Sequence, residues 1–200
     1  MKIENIIFDF GGVLVDWNPR YLYRSYFQNE SEMEHFLHSV CTDEWNLEQD
    51  KGRTLAEGTL ILQKKFPAFH DLIQLYYDKW ATMLKDEFPE TVSILYQLKE
   101  KYNIYGLTNW SAETIPIAYE RFPFFKVFDG IVVSGEEKMV KPDERIYHLL
   151  LDRYHLKAEN TVFIDDNLNN IIAAREIGLT AIQHKNAGQL KTELSAIHAI

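Results

Sequence analysis

The sequence predicts an α/β fold: a parallel sheet with helical crossovers, joined to a smaller all-helical unit. Three observations predict it. Short, near-continuous apolar runs rich in β-branched residues recur along the chain, as strands buried on both faces require. From about residue 88 onward these runs alternate with segments of helical periodicity, the rhythm of a sheet built from crossover units. Between the first run and the second lies a long stretch without a convincing strand signal, which reads as helices.

Taken in order, the first strand is residues 5–10 (NIIFDF), followed at once by Gly11-Gly12. Asn18-Pro19 is a helix cap followed by a first-turn proline, whose missing N–H would be unpaired there anyway. Ser31 with Glu34, and Thr54 with Glu57, have capping-box spacing. The helical pattern continues through residues 68–84 (AFHDLIQLYYDKWATML). Pro89 opens the next helix, 89–102, whose apolar residues fall at three-to-four spacing. Strands follow at 103–109 (NIYGLTN), 130–135 (GIVVSG) and 161–166 (TVFIDD), with a weaker fifth at 180–184 (TAIQH). Helices at 141–155 and 167–178 lie between the later strands, the second closing at Gly178. The expected division is a discontinuous α/β core, 1–16 with 89–200, and a helical cap, 17–88.

The chain carries 21 basic and 30 acidic residues, a net charge of −9. That balance argues against nucleic acid or an anionic membrane as the main partner. Cys41 is the only cysteine, so no intrachain disulfide forms and a reducing compartment is expected. The opening apolar run is too short, and broken too soon by Asp9, for a signal peptide. No segment approaches the roughly 20 apolar residues of a membrane span. These features predict a cytoplasmic protein, a monomer or homodimer, acting on a small molecule.

In parallel sheets, ligands bind beyond the carboxyl ends of the strands. The first strand ends in Asp9, the second in Thr108-Asn109 and the fourth in Asp165-Asp166, while the third runs into a loop leading to Lys141-Pro142. A parallel sheet would gather three carboxylates, a hydroxyl and an ammonium along one edge. Two carboxylates about 4 Å apart repel by roughly 4 kcal/mol at an intermediate dielectric, so such a cluster calls for a cation. Carboxylate and carbonyl oxygens suit Mg²⁺, and a metal, a nucleophile and donors for the remaining charge are what phosphoryl transfer needs.

This set, in this chain order, resembles the haloacid dehalogenase (HAD) superfamily. FDFGGVL looks like its first motif, GLTN its second, KPDERIY its Lys-Pro motif and FIDDNLNNIIAAREIG its fourth. The 17–88 insertion matches a helical cap between the first and second motifs, so the resemblance covers the whole chain. It implies a Rossmann-like core, an aspartyl-phosphate intermediate and usually Mg²⁺. By that likeness Asp9 is the nucleophile, and Mg²⁺ is held by Asp9, the carbonyl of Gly11, Asp165 and Asp166. Thr108 and Asn109 hold the phosphoryl group, and Lys141 neutralises nucleophile and phosphate.

One element departs from the pattern. The superfamily's phosphatases usually carry Asp where Gly11 stands, to protonate the leaving oxygen and then activate water. A metal-independent 2-haloacid dehalogenase, whose halide needs no proton, would tolerate the change. So would a non-catalytic binder of phosphate and Mg²⁺. The favoured reading is a phosphatase resembling the sugar 1-phosphate subgroup, which also has Asp-x-Gly, Thr or Ser before Asn, and Asp-Asp. Asp16 is a candidate substitute acid/base, or a cap for the helix after Asn18. A signalling receiver, which also uses an acidic pair, Thr and Lys, is disfavoured by the order of the motifs. Substrate choice should lie in the cap, where residues 44–53 (EWNLEQDKGR) set Trp45 beside Glu48, Asp50 and Arg53, chemistry suited to a polyol over a stacking surface.

Overall fold

Burial on both faces explains the strands. In the computed structural model, which describes residues 2–200, the predicted runs become β1 (Asn5–Phe8), β4 (Asn103–Thr108), β5 (Gly130–Val133), β6 (Thr161–Asp165) and β7 (Thr180–Gln183). A separate pair, β2 (Val15–Trp17) and β3 (Leu84–Glu87), lies between β1 and β4 in the chain. The five form one parallel sheet in the order β5-β4-β1-β6-β7. β1 is central: Ile6 lies opposite Ile104 on one side and Val162 on the other. Its side chains alternate as strand geometry demands. Ile6 and Phe8 join one apolar cluster with Leu95, Leu98 and Leu190. Ile7 joins the opposite one with Leu107, Phe163, Ile146 and Leu150. Each such fully buried side chain contributes about 1.5–3 kcal/mol.

The insertion is mainly helical: Arg20–Tyr23, Glu30–Ser39, Asp43–Asp50, Leu55–Lys65 and His70–Asp78. Its interior is aromatic, with Tyr23, Phe36, Trp45 and Tyr76 buried. Thr54 caps its helix as the spacing predicts, accepting from the Glu57 N–H at 3.2 Å. Ser31 does not cap. Asn29 takes that place, accepting from the Glu32 N–H at 2.9 Å, because the helix starts two residues earlier than the Ser-x-x-Glu pattern allows. The expected helix through 68–84 stops at Asp78, turns through Trp80–Thr82, and continues as β3.

Strand β3 pairs antiparallel with β2, Val15 opposite Glu87 and Trp17 opposite Leu84. This ribbon was not expected, since strands of four residues or fewer with exposed positions leave no apolar alternation to read. It forms where the chain enters and leaves the insertion. Further bonds tie insertion to sheet: Leu55 N–H donates to Glu113 (2.8 Å), the Ser134 hydroxyl to the Asp50 carbonyl (2.5 Å), and Arg121 to the carbonyls of Leu84 and Lys85. Among the described residues no helix is long and apolar enough to cross a membrane.

Candidate active site

Asp9 stands one residue beyond β1, Thr108 ends β4, Asp165 ends β6 and Asp166 follows it. Parallel pairing of β1 with both neighbours therefore delivers these groups to one edge. One oxygen from each of Asp9, Asp165 and Asp166 lies within 4.8 Å of the other two. Lys141 comes from the loop after β5 and its ammonium is fully enclosed, 2.9 Å from Asp9 Oδ1, 2.6 Å from Asp165 Oδ2 and 2.8 Å from the Leu107 carbonyl. Those three contacts use all three of its donors.

Asn109 is what places that lysine. Its side-chain amide donates to the Lys141 carbonyl (2.9 Å) and accepts from the Lys141 N–H (2.8 Å), a two-point clamp between the end of β4 and the lysine loop. The amide that the sequence assigned to the phosphoryl group thus spends its oxygen and one of its two N–H donors on backbone. Asp165, with no exposed surface, is held by the Asn170 amide (3.0 Å to each oxygen) and the Asn167 N–H (2.8 Å). The bonds to Asp9 fall on Oδ1, from the Phe10 N–H at 2.8 Å and from Lys141. Among the described residues, Asp9 Oδ2 and the Thr108 hydroxyl have no hydrogen-bond partner, which leaves them available to a ligand.

The turn after β1 is shaped by its glycines. Gly12 has φ +74°, and a Cβ there would sit 2.4 Å from Asp166 Oδ2, so the chain passes against that carboxylate. A Cβ on Gly11 would meet nothing within 4 Å. His184, just past β7, braces this turn: Nδ1 lies 3.2 Å from the Gly12 carbonyl and Nε2 3.3 Å from the Thr91 hydroxyl.

Electrostatically the cluster is short of positive charge. Burial raises Asp9 to about 7; Asp165 adds to that and Lys141 opposes it. Asp166 is raised by burial and by Asp165. Burial works against charge on Lys141, but Asp165 and Asp9 outweigh it and its value is raised. Three carboxylates against one ammonium, with oxygens within a few ångströms of each other, fit a hard divalent cation.

Between the strand ends and the insertion lies a cavity of about 90 Å³. Gly11, Asn109 and Ser111 line it from the sheet side, Asn46 and Asp50 from the insertion, and Trp17, Tyr77, Trp80 and Trp110 supply aromatic walls. Of the segment 44–53, only Asn46 and Asp50 reach it. Trp45 is not a stacking surface: it is buried in the insertion with its indole N–H on the Gly58 carbonyl (3.0 Å). Arg53 is turned onto Gln49 and the Trp45 carbonyl, and Glu48 pairs with Lys51. Asp16 accepts from the Tyr21 hydroxyl at 2.7 Å and does not line the cavity; Asn18 itself accepts from the Arg20 N–H.

Sequence reasoning missed the supports. Asn167 and Asn170 read as part of a helix start, and Asn167 does accept from the Asn169 N–H at 2.9 Å. Nothing in the sequence marked His184 or the clamp by Asn109, because both act across contacts between distant segments.

A family model described as haloacid dehalogenase-like hydrolase matches residues 3–178. The sesquiterpene phosphatase astK of Aspergillus oryzae is 28% identical over 180 residues, covering 88% of this chain and 87% of the relative. The D-ribitol-5-phosphate phosphatase of Bacteroides thetaiotaomicron is 23% identical over 214 residues, covering 98% of both chains. Among solved structures, a HAD family enzyme of Bacteroides thetaiotaomicron in complex with magnesium and inorganic phosphate superposes with a TM-score of 0.69 at 25% identity, over 92% of this chain and 95% of that one.

Proposed function

The chain belongs to the haloacid dehalogenase-like hydrolases, and from that premise we propose a Mg²⁺-dependent phosphatase that releases phosphate from a small phosphorylated metabolite through phospho-Asp9. The observation that carries the reading is the meeting of Asp9, Asp165 and Asp166 around the enclosed Lys141. The phosphatases among the relatives, and the neighbour solved with magnesium and phosphate, support it.

Asp9 Oδ2, free of protein partners, is the attacking oxygen. Lys141 holds Oδ1 and so fixes the direction of attack, while the Thr108 hydroxyl donates to a phosphoryl oxygen. A bound Mg²⁺ would supply neutralisation of the charge on the phosphoryl group and the carboxylates. The residues that would hold it are Asp9, Asp165, Asp166 and the carbonyl of Gly11. Asp165 is already engaged by Lys141, Asn167 and Asn170, so the more exposed Asp166 would offer the ion the freer carboxylate. That second carboxylate also favours phosphate transfer over metal-independent dehalogenation, which has no use for it.

The small cavity suits a sugar or polyol phosphate, including a sugar 1-phosphate, better than a bulky leaving group. The single cysteine, Cys41, is buried and its thiol is pushed up by burial, in keeping with a structural role in a reducing, cytoplasmic setting.

A phosphate-release screen with Mg²⁺ over sugar and polyol phosphates, nucleotides and acyl phosphates tests the proposal. Activity on at least one sugar or polyol phosphate is expected, abolished by EDTA and reduced at least 1,000-fold in Asp9→Asn. Full activity in that variant, or silence across the screen, refutes it.

A further inference from the structure

The phosphatase reading leaves one proton without a carrier. Gly11 offers no side chain, and the space its Cβ would enter is open. That space belongs to the cavity whose opposite wall carries Asp50. We propose that Asp50, from the insertion, is the catalytic acid/base of this enzyme, supplying from across the cavity the carboxyl group absent at Gly11.

Three features support the assignment. Among the described residues lining the cavity, Asp50 carries the only carboxyl group, and no Lys, Arg or His joins it. It is also held in place: a hydrogen-bonded series runs from the Gln49 amide to the Tyr77 hydroxyl (2.7 Å), from that hydroxyl to Asn46 Oδ1 (3.0 Å), and from Asn46 Nδ2 to Asp50 Oδ2 (3.1 Å). Its own carbonyl is fixed to the sheet by the Ser134 hydroxyl at 2.5 Å. Finally, Trp17 lines the same cavity, and its indole Nε1 is buried without any hydrogen-bond partner among the described residues. A buried donor left unpaired costs about 1–3 kcal/mol, and an oxygen-bearing leaving group would relieve it.

The surroundings suit proton exchange near neutrality. Burial raises Asp50 to about 7, opposed only in part by the Ser111 backbone N–H. Tyr76 and Tyr77 face it from the helix His70–Asp78, and their own values are raised. The cations beside it in the chain are engaged elsewhere, Lys51 with Glu48 and Arg53 with Gln49. From the sheet side it meets Ser111 and Ser134, which are uncharged.

An oxygen of Asp9 bonds to phosphorus as the bond to the ester oxygen breaks. The electron pair leaves on that oxygen, which takes the proton of Asp50 and departs as the alcohol. Asp50, now a carboxylate, removes a proton from water as the water oxygen attacks phosphorus. The bond to Asp9 breaks, its electrons return to the Asp9 carboxylate, and inorganic phosphate is released with Asp50 protonated again.

This inference rests on the phosphatase reading, and the experiment separates the two. Wild type, Asp50→Asn and the double variant Asp50→Asn with Gly11→Asp are assayed on 4-nitrophenyl phosphate and on the alkyl phosphate cleaved fastest in the screen. Asp50→Asn should lose about 100-fold or more in kcat on the alkyl phosphate. On 4-nitrophenyl phosphate, whose leaving group needs no proton, it should release one equivalent of nitrophenolate rapidly and then turn over slowly, because hydrolysis of phospho-Asp9 still lacks its base. Gly11→Asp, placed in open space, should restore turnover at least 10-fold. A merely structural role would depress both substrates alike, with no burst and no rescue, and that result overturns the inference while leaving the phosphatase. An unchanged Asp50→Asn does the same. Wild type silent on both substrates overturns both readings.

Discussion

Replacing Lys141 with methionine tests the electrostatic centre directly. The side chain has no exposed surface, so methionine keeps most of the apolar packing and removes the ammonium alone. Asp9 and Asp165 then face each other with oxygens within 4.8 Å, a repulsion of about 3 kcal/mol at an effective dielectric near 20. Removing one partner of a buried ion pair costs about 3–5 kcal/mol in all. The cost depends on pH, with a sign fixed by Asp9. It already sits at about 7 with Lys141 pulling it down, so without the lysine it rises further. At pH 5 Asp9 is then protonated and its repulsion of Asp165 disappears, leaving the lost contacts of the ammonium with Asp165 and with the Leu107 carbonyl. Urea unfolding followed by circular dichroism, in EDTA, reads this out. With a slope near 2 kcal/mol/M, the midpoint should drop by about 2 M at pH 8 and by a smaller amount at pH 5. Equal drops at the two pH values would refute the account, as would a drop below about 0.5 M at pH 8.

Three further outcomes are expected. Gly12→Ala forces a left-handed backbone and a contact with Asp166, so it should lose about 1–3 kcal/mol and show a smaller rise in Tm on adding Mg²⁺, measured by differential scanning fluorimetry. Asn109→Ala frees the Lys141 backbone and should lower kcat by at least 10-fold with little change in KM. For Asp50, the folded value of about 7 lies above the ordinary 3.8. The folded state therefore keeps a proton that the unfolded chain releases, and stability falls as pH rises through 4 to 7, by at most about 4 kcal/mol. Asp50→Asn should be correspondingly flatter in urea midpoint over that window.

The α/β rhythm and the strand ends were legible because strands buried on both faces must be apolar throughout, and Asp9, Thr108 and Asp165 interrupt that requirement where the sheet stops. The ribbon of β2 and β3 was not, since so few residues carry no period. Within the site, charged groups announced themselves and their supports did not. Asn109, Asn170 and His184 are ordinary polar residues locally, and their purpose exists only once Lys141, Asp165 and Gly12 lie beside them. Asp50 is the sharpest case. In the sequence it is one acid in a polar helix end, and only closure of the insertion over the sheet makes it a half-buried carboxyl lining the same cavity as Gly11.

The central place of β1 also has a kinetic consequence. Residues 5–8 pair with 103–106 on one side and 161–164 on the other, among the most distant contacts the chain makes. Such pairings are slow to find, because loop closure must be met before the contacts repay it. The strand that leads to Asp9 is therefore completed only when segments 98 and 156 residues downstream have arrived. Until they arrive, Asp9 stands without Thr108, Lys141 and Asp165 beside it.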